Sequence, residues 1–317
     1  MPPPRAAHVL HPMFILLLLL ATASVSFSAL HHDPDSESDC TGRWIHIRHL
    51  PPRFNLDLLT NCSAYPLADD LCPFVSNHGL GPKTHNSSRS WYRTDPSMLE
   101  LIFHRRMLEY PCLTPDPSAA DGVYLPYYAG LDALRYLFGP DQNHSHRHGL
   151  DLFRHIAAEN HPSIWRRRSG HDHFLVMARP AWDFSQPPST DPPLFGTSFL
   201  ESPEFFNLTA LTLEARAYPW QEQAIPYPTS FHPPNLAFFE SWLARARRSR
   251  RTTLALFAGG GGEVRRKREK VLEMMGRVMY RKHGSSFGLR SKKDAFDIAV
   301  EGVLQRIKSR TRELGLP

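Results

Sequence analysis

Two short strings carry most of the chemistry-capable side chains of this chain. They are Gly170-His171-Asp172-His173-Phe174 and Ile225-Pro226-Tyr227-Pro228-Thr229-Ser230-Phe231-His232-Pro233. A carboxylate between two imidazoles can take a proton from a hydroxyl, so Asp172 and His173 are candidates for general-base work. Asp183, which follows Trp182, is a third. His171, Tyr227 and His232 are candidates for holding a ligand. Each has a plainer reading as well. An Asp at a strand start also caps backbone N–H groups, and a Trp-Asp pair also packs against a capped turn. Other sites fare worse. His144, His146 and His148 stand two apart beside the sequon at Asn143, a poor setting for a metal. Gly259 to Gly262 run into Glu263, whereas a phosphate loop ends in Gly-Lys-Ser/Thr. Asp33-Pro34-Asp35 has the spacing of a metal carboxylate pair but lies in a polar stem, and Arg166-Arg167-Arg168 reads as a solvated turn.

The elements that must position these groups alternate between strand and helix. Leu175-Val176-Met177-Ala178 reads as a buried strand directly after the first string. Apolar alternation at Trp44, Ile45 and Ile47 predicts another, and 120–126, 208–213 and 252–258 predict three more. Between them, Met98, Leu99, Ile102, Phe103, Met107 and Leu108 recur at helical spacing over 96–110, with Asp95 and Pro96 as the start signal. Further helices follow through Leu131, Leu134, Leu137 and Phe138, and through Leu150, Phe153 and Ile156. This alternation predicts an α/β fold with a parallel sheet. Two helices close the chain, over 264–282 and 292–314, the second with a continuous stripe of Phe296, Ala299, Val300, Val303, Leu304 and Ile307.

The chain has 317 residues, 41% hydrophobic, and 29 prolines that break it into short elements. The net charge of +6 is uneven: residues 242–317 carry 20 Lys and Arg against 7 Asp and Glu. Those charges lie on helices with apolar stripes, so they read as solvated faces and not as a nucleic-acid surface. Arg5 followed by the apolar core Met13 to Leu20 predicts an export signal, either a cleaved peptide or a membrane anchor with its N-terminus in the cytosol. Four N-glycosylation sequons, at Asn61, Asn86, Asn143 and Asn207, agree with export. So do the four cysteines Cys40, Cys62, Cys72 and Cys112, clustered in the first third and expected to form two disulfides with three connectivities open.

The strings above, with Leu50-Pro51-Pro52-Arg53-Phe54-Asn55, Val123-Tyr124-Leu125-Pro126-Tyr127-Tyr128-Ala129-Gly130-Leu131-Asp132 and Trp182-Asp183-Phe184, make the chain similar to the plant exostosin-like glycosyltransferases, family 47. Within them it most resembles the xyloglucan galactosyltransferase branch. The resemblance implies a type II Golgi membrane protein of GT-B architecture, with an acceptor-side and a nucleotide-sugar domain facing across a cleft. It implies inverting transfer of a hexose, galactose above all, from a UDP-sugar to xyloglucan or a related wall polysaccharide. Neither a metal nor a further cofactor is implied. Asp172, His173 and Asp183 would lie on the cleft and serve the acceptor hydroxyl. The departure comes after Phe257-Ala258-Gly259: the family's nucleotide-sugar strings are missing, and Lys293-Asp294-Ala295-Phe296-Asp297 resembles its extreme C-terminus. The expected organisation is therefore an anchor or signal peptide (1–30), a stem (31–39), the N-terminal Rossmann-like half of a GT-B fold (40–262) and helices that pack back on it (263–317). Such a chain would be a transferase of doubtful activity, or a non-catalytic acceptor-binding member of a Golgi glycosyltransferase complex.

Overall fold

The central strand shows why the sheet is parallel and buried. His173–Met177 is covered on both faces along its whole length, as a strand between two helical layers must be. In the computed structural model, which describes residues 40–60, 62–65, 70–84, 90–158, 163–187, 195–214, 220–249, 264–285 and 292–317, five strands form one sheet. They are β1 (Ile45–Ile47), β2 (Gly122–Tyr124), β3 (His173–Met177), β4 (Thr209–Thr212) and β5 (Glu222–Ala224), all parallel and adjacent in chain order. Val123 pairs with His173, Phe174 with Thr209 and Ala210 with Glu222. Parallel neighbours need long crossovers, and these supply the helices α1 (Leu99–Met107), α2 (Ala129–Leu137), α3 (Leu150–Ala158) and α4 (Ser163–Arg167). Helices α5 (Leu236–Arg248), α6 (Val264–Val278) and α7 (Ala295–Glu313) follow the last strand.

Side chains alternate across the sheet and so divide the core in two. On one face Leu175, Met177 and Ala210 pack with Ala133 and Leu137 of α2, Leu152 and Ile156 of α3, and the loop residues Phe199 and Phe205. On the other, the Tyr124 ring lies 5.4 Å from Phe174 and 6.0 Å from Phe103 of α1, which in turn lies 4.8 Å from Phe296 of α7. A Cβ built on Gly122 would stand 3.1 Å from Leu304 and 3.3 Å from Ile307, so α7 approaches β2 where a larger residue would push it off. The predicted stripe of α7 is buried throughout. Each large side chain in it is worth roughly 1.5–3 kcal/mol of transfer free energy.

Several expectations needed adjustment. The predicted 96–110 helix opens as a 3-10 turn, Pro96–Met98, capped by the Asp95 carboxylate accepting from Ser97 N, and only then becomes α1. Strand β5 and helix α4 carry no strong apolar period and were not expected. Helix α5 was not expected either, although Leu236, Phe239 and Leu243 recur at helical spacing, and it starts where Asn235 accepts from Phe238 N. Cys62 is bonded to Cys72, Cys40 and Cys112 are disulfide-bonded too, and no cysteine is free. The expected strand over 252–258, the tetraglycine, the export segment and the sequons at Asn61 and Asn86 lie outside the described residues. Among the described residues no helix is long and apolar enough to cross a membrane.

One buried ionic cluster docks α7. Asp294 is its N-cap, accepting from Asp297 N while the Asp297 carboxylate accepts from Asp294 N. Arg106 of α1 reaches Asp294 Oδ2 at 2.6 Å, and Arg281 reaches the same oxygen through its backbone N at 2.8 Å and Nε at 3.2 Å. Burial works against the Asp294 charge, but the two guanidinium groups outweigh it and hold the carboxyl below its ordinary value. Replacing Asp294 by Asn would leave those two cations only the less buried Asp297, and urea unfolding is expected to show a loss of about 3 kcal/mol. Arg105→Ala, which breaks only a surface pair with Glu109, is expected to change stability by no more than about 0.5 kcal/mol.

Candidate functional site

At the amino end of β3 the first string forms a buried internal network. Asp172 and His173 are fully buried, and Asp172 Oδ1 lies 2.7 Å from His173 Nδ1. Arg167 of α4 donates to Asp172 Oδ2 at 2.9 Å and also to the carbonyls of Pro117, Ser118 and Ala120. It thus ties the loop before β2 to the start of β3, and the arginine run is a bracket, not a solvated turn. Burial opposes the Asp172 charge, yet His173 and Arg167 hold its carboxyl below the ordinary value. Burial depresses His173 despite that carboxylate. His171 is half-buried and depressed by burial and then by Arg310.

The carboxyl end of the same sheet is different: open, aromatic and charged. Ligands of open α/β sheets gather outside the carboxyl ends of the strands, because the connecting loops and helix N-termini converge there. Arg179, just past β3, donates from Nε to Asp183 Oδ2 at 2.7 Å and lies 5.6 Å from the Phe138 ring centroid. Phe138 stands 5.6 Å from Phe195, and both are exposed, as are Trp182 and Tyr227. Glu214, just past β4, accepts from the Tyr227 hydroxyl at 2.7 Å, and its carbonyl accepts from Ala181 N at 2.8 Å. Burial and then Glu214 push the Tyr227 hydroxyl up to about 12.

Beneath this edge lies a rigid polar floor. Glu100 of α1 accepts from Gly130 N at 2.6 Å, Ala178 N at 3.1 Å and Leu131 N at 3.3 Å, joining α1 to the start of α2 and the end of β3. A Cβ at Gly130 would stand 3.0 Å from both Glu100 Oε1 and Ala178 N, so the approach needs glycine. Burial pushes the Glu100 carboxyl up to about 8 while the three N–H groups pull it down. All three partners are donors, so the geometry serves the ionised form. Tyr127 donates to Asp132 at 2.5 Å, and His148, buried among Tyr127, Tyr136, Phe184 and Phe199, contacts Thr197 Oγ1 at 2.9 Å.

The structure therefore does not bring the predicted residues into one place. Asp172 and His173 sit together at the amino end, with half-buried His171 beside them. Asp183 and Tyr227 meet at the carboxyl end. His232 is fully buried between Tyr280 O at 2.6 Å and Thr94 Oγ1 at 2.9 Å, where it latches the second string to the tail. Arg179, Glu214 and the rings of Phe138 and Phe195 are the residues that sequence reasoning passed over. Their signal was position, since Arg179 and Glu214 are the first charged residues past β3 and β4. Aromatic faces beside paired carboxylates suit sugar rings, whose C–H faces stack while their hydroxyls donate. The Glu214 carboxylate can also accept a proton from a hydroxyl, whereas Asp183 is buried against Arg179.

Against known proteins, residues 39–296 match the Exostosin GT47 domain. An Arabidopsis thaliana protein named probable xyloglucan galactosyltransferase GT19 is 48% identical over 402 aligned residues, covering 86% of this chain and 92% of that protein. The probable xyloglucan galactosyltransferase GT14 of the same plant is 38% identical over 75% of this chain and 46% of its own length. Its xyloglucan galactosyltransferase MUR3 is 36% identical over 71% of this chain and 37% of its own length. The chain thus spans less than half of these last two relatives. No solved structure matches it significantly.

Buried His148 gives a pH test of the floor. Burial pushes its imidazole down to about 3, so between pH 6.5 and about 3 the unfolded chain binds a proton there that the folded chain does not. Stability from this residue is present above pH 6.5 and is lost on acidification. H148F keeps a ring in the aromatic cage and has no such proton. The stability of wild type relative to H148F is expected to fall by about 1.4 kcal/mol per pH unit below pH 6.5, measured by urea unfolding. A pH-independent difference would contradict the assignment.

Proposed function

This chain belongs to the exostosin GT47 family of glycosyltransferases, and we propose that it is the acceptor-gripping lobe of a xyloglucan galactosyltransferase. In the complete enzyme a hydroxyl of the polysaccharide attacks the anomeric carbon of UDP-galactose, UDP leaves, and the configuration inverts. The observation that carries this reading is the carboxyl-end edge of the sheet. Trp182, Phe138 and Phe195 offer faces for pyranose rings, Tyr227 and Arg179 offer donors, and Glu214 offers a carboxylate for the attacking hydroxyl, while buried Asp183 holds Arg179 in place. Of the three residues first considered for proton transfer, Asp183 alone lies at this edge. Asp172 and His173 act as positioning residues, since they hold the start of β3 that leads to it.

A second reading, that this chain binds acceptor without transferring sugar, is favoured by one observation. An alignment of 402 residues is longer than the 317-residue chain, so a long stretch of the GT19 relative faces nothing here. The absence of a nucleotide-sugar lobe would account for it. The chain would then serve as a polysaccharide-holding member of a Golgi glycosyltransferase complex. Its expected place is the Golgi lumen, reached through the apolar segment Met13 to Leu20.

Calorimetric titration separates these readings. The chain is expected to bind xyloglucan oligosaccharides, to transfer no galactose and to bind no UDP. W182A and E214Q are expected to weaken oligosaccharide binding at least about tenfold, or ~1.4 kcal/mol, with unchanged thermal midpoints. Micromolar UDP binding would overturn the missing lobe. Oligosaccharide affinity unaffected by either substitution would overturn the acceptor edge.

A further inference from the structure

Asn207 lies at the opposite, amino end of the sheet, in the turn that leads into β4, where the acceptor site uses nothing. Beside it Phe206 and Trp220 are 46% and 45% exposed, and their rings stand 6.0 Å apart, so they form a bare aromatic corner. Asn207-Leu208-Thr209 is a sequon, and Thr209 is buried within β4 with no partner for Oγ1. Val would fill the same volume without an unsatisfied hydroxyl. Thr212 of the same strand shares that defect without a sequon, so the hydroxyl is only a supporting observation. The aromatic corner decides the matter.

We propose that Asn207 carries an N-linked glycan whose first sugars lie on the Phe206–Trp220 corner and brace the amino end of the sheet. The glycan forms when Asn207 Nδ2 attacks the anomeric carbon of a polyprenyl-pyrophosphate-linked oligosaccharide. A C–N bond forms, the C–O bond to the lipid pyrophosphate breaks, and one amide proton is lost. The substituted amide keeps its other N–H, which can still serve the bond Asn207 makes to Ser169 O at 3.0 Å. That bond matters locally, because Ser169 holds a left-handed conformation, φ 49°, in the turn before His171. The Asn207 carbonyl accepts from Arg310 of α7 at 2.6 Å. The glycan root is therefore fixed to β4, to the Ser169 turn and to α7, so that stacking on the adjacent rings orders little that is not already ordered. Asn143 has no such corner: its neighbours His144 and His146 lie 6.4 Å apart on an exposed 3-10 segment.

The inference rests on export of the chain, and the experiment separates the two. Wild type, T209V, F206A, N143Q and the double variant F206A/T209V are made in a secretory plant host, and again in a bacterial periplasm that adds no glycan. Peptide mass spectrometry reads occupancy, and thermal unfolding reads stability. T209V removes the sequon yet keeps the Asn207 amide and its bonds. Occupied Asn207 is expected in the plant protein, with T209V lowering its melting temperature by about 2–4 °C. The same substitution in the bacterial protein is expected to leave the midpoint unchanged or raise it. In the F206A background the loss caused by T209V is expected to shrink by at least half, while N143Q has no effect in either. Asn143 occupied with Asn207 bare overturns the proposal, as does a T209V loss that is equal in both hosts or unaltered by F206A. If no sequon is modified, the export reading itself fails and takes the glycan with it.

Discussion

Two buried guanidinium groups facing one buried carboxylate hold the last helix to the sheet. Arg106 comes from α1, Arg281 from the segment before α7, and Asp294 from the cap of α7 itself. The same carboxylate begins the helix and docks it, so folding and packing of α7 are one event. Asp297, its partner in the cap, is pushed up to about 6 by burial and then by the Asp294 charge, the counterpart of concentrating two acids on two bases. Without α7, Gly122 of β2 and the Phe103 ring of α1 would lose the Leu304, Ile307 and Phe296 side chains that cover them. The three-layer arrangement therefore depends on residues about 190 positions apart in sequence, Arg106 and Asp294.

That dependence reaches the carboxyl-end edge through α1. Arg106 anchors one end of α1 to α7, and Glu100, near its other end, anchors it to Gly130, Leu131 and Ala178. Ala178 directly precedes Arg179, and the α2 start supports Asp132 and the aromatic cage of His148. A recognition edge needs side chains held to within fractions of an ångström by a second layer of contacts. Here that layer is ionic and backbone-directed, which explains why Glu100 is an acid in a wholly buried position. A neutral Gln would present one acceptor oxygen and an NH2 group facing backbone donors.

Much of this frame was legible in the sequence. The strands predicted around Ile45, Val123, Leu175 and Leu211, the start signal at Asp95-Pro96 and the stripe of α7 all report local periodicity, and these appear close to where they were expected. Strand β5, Glu222-Gln223-Ala224, has no such pattern because it lies at the sheet edge and one of its side chains, Gln223, turns to the carbonyl of Ala299. The site was half legible. Asp172 precedes its strand and Asp183 follows it, so chain direction alone sets them at opposite ends of a parallel sheet. What local sequence could not reveal was pairing at a distance: Arg167 with the carbonyls of 117–120, Glu214 with Tyr227, and Arg179 with the Phe138 ring.

The division of labour between the two ends of the sheet follows from where charge can be left unneutralised. At the amino end Arg167 donates to three carbonyls and a carboxylate, and Asp172 and His173 beside it are wholly buried, so little there faces a ligand. At the carboxyl end Arg179 has one carboxylate and one ring, Glu214 has one hydroxyl, and both stand beside exposed aromatic faces. A neutral polysaccharide brings many weak hydroxyl donors and acceptors and no charge. It is better held by such part-satisfied pairs than by free ions, which would keep their water. On the proposed reading the edge is matched in polarity to a glucan-based acceptor, and a sheet whose two faces are already covered holds that edge in place.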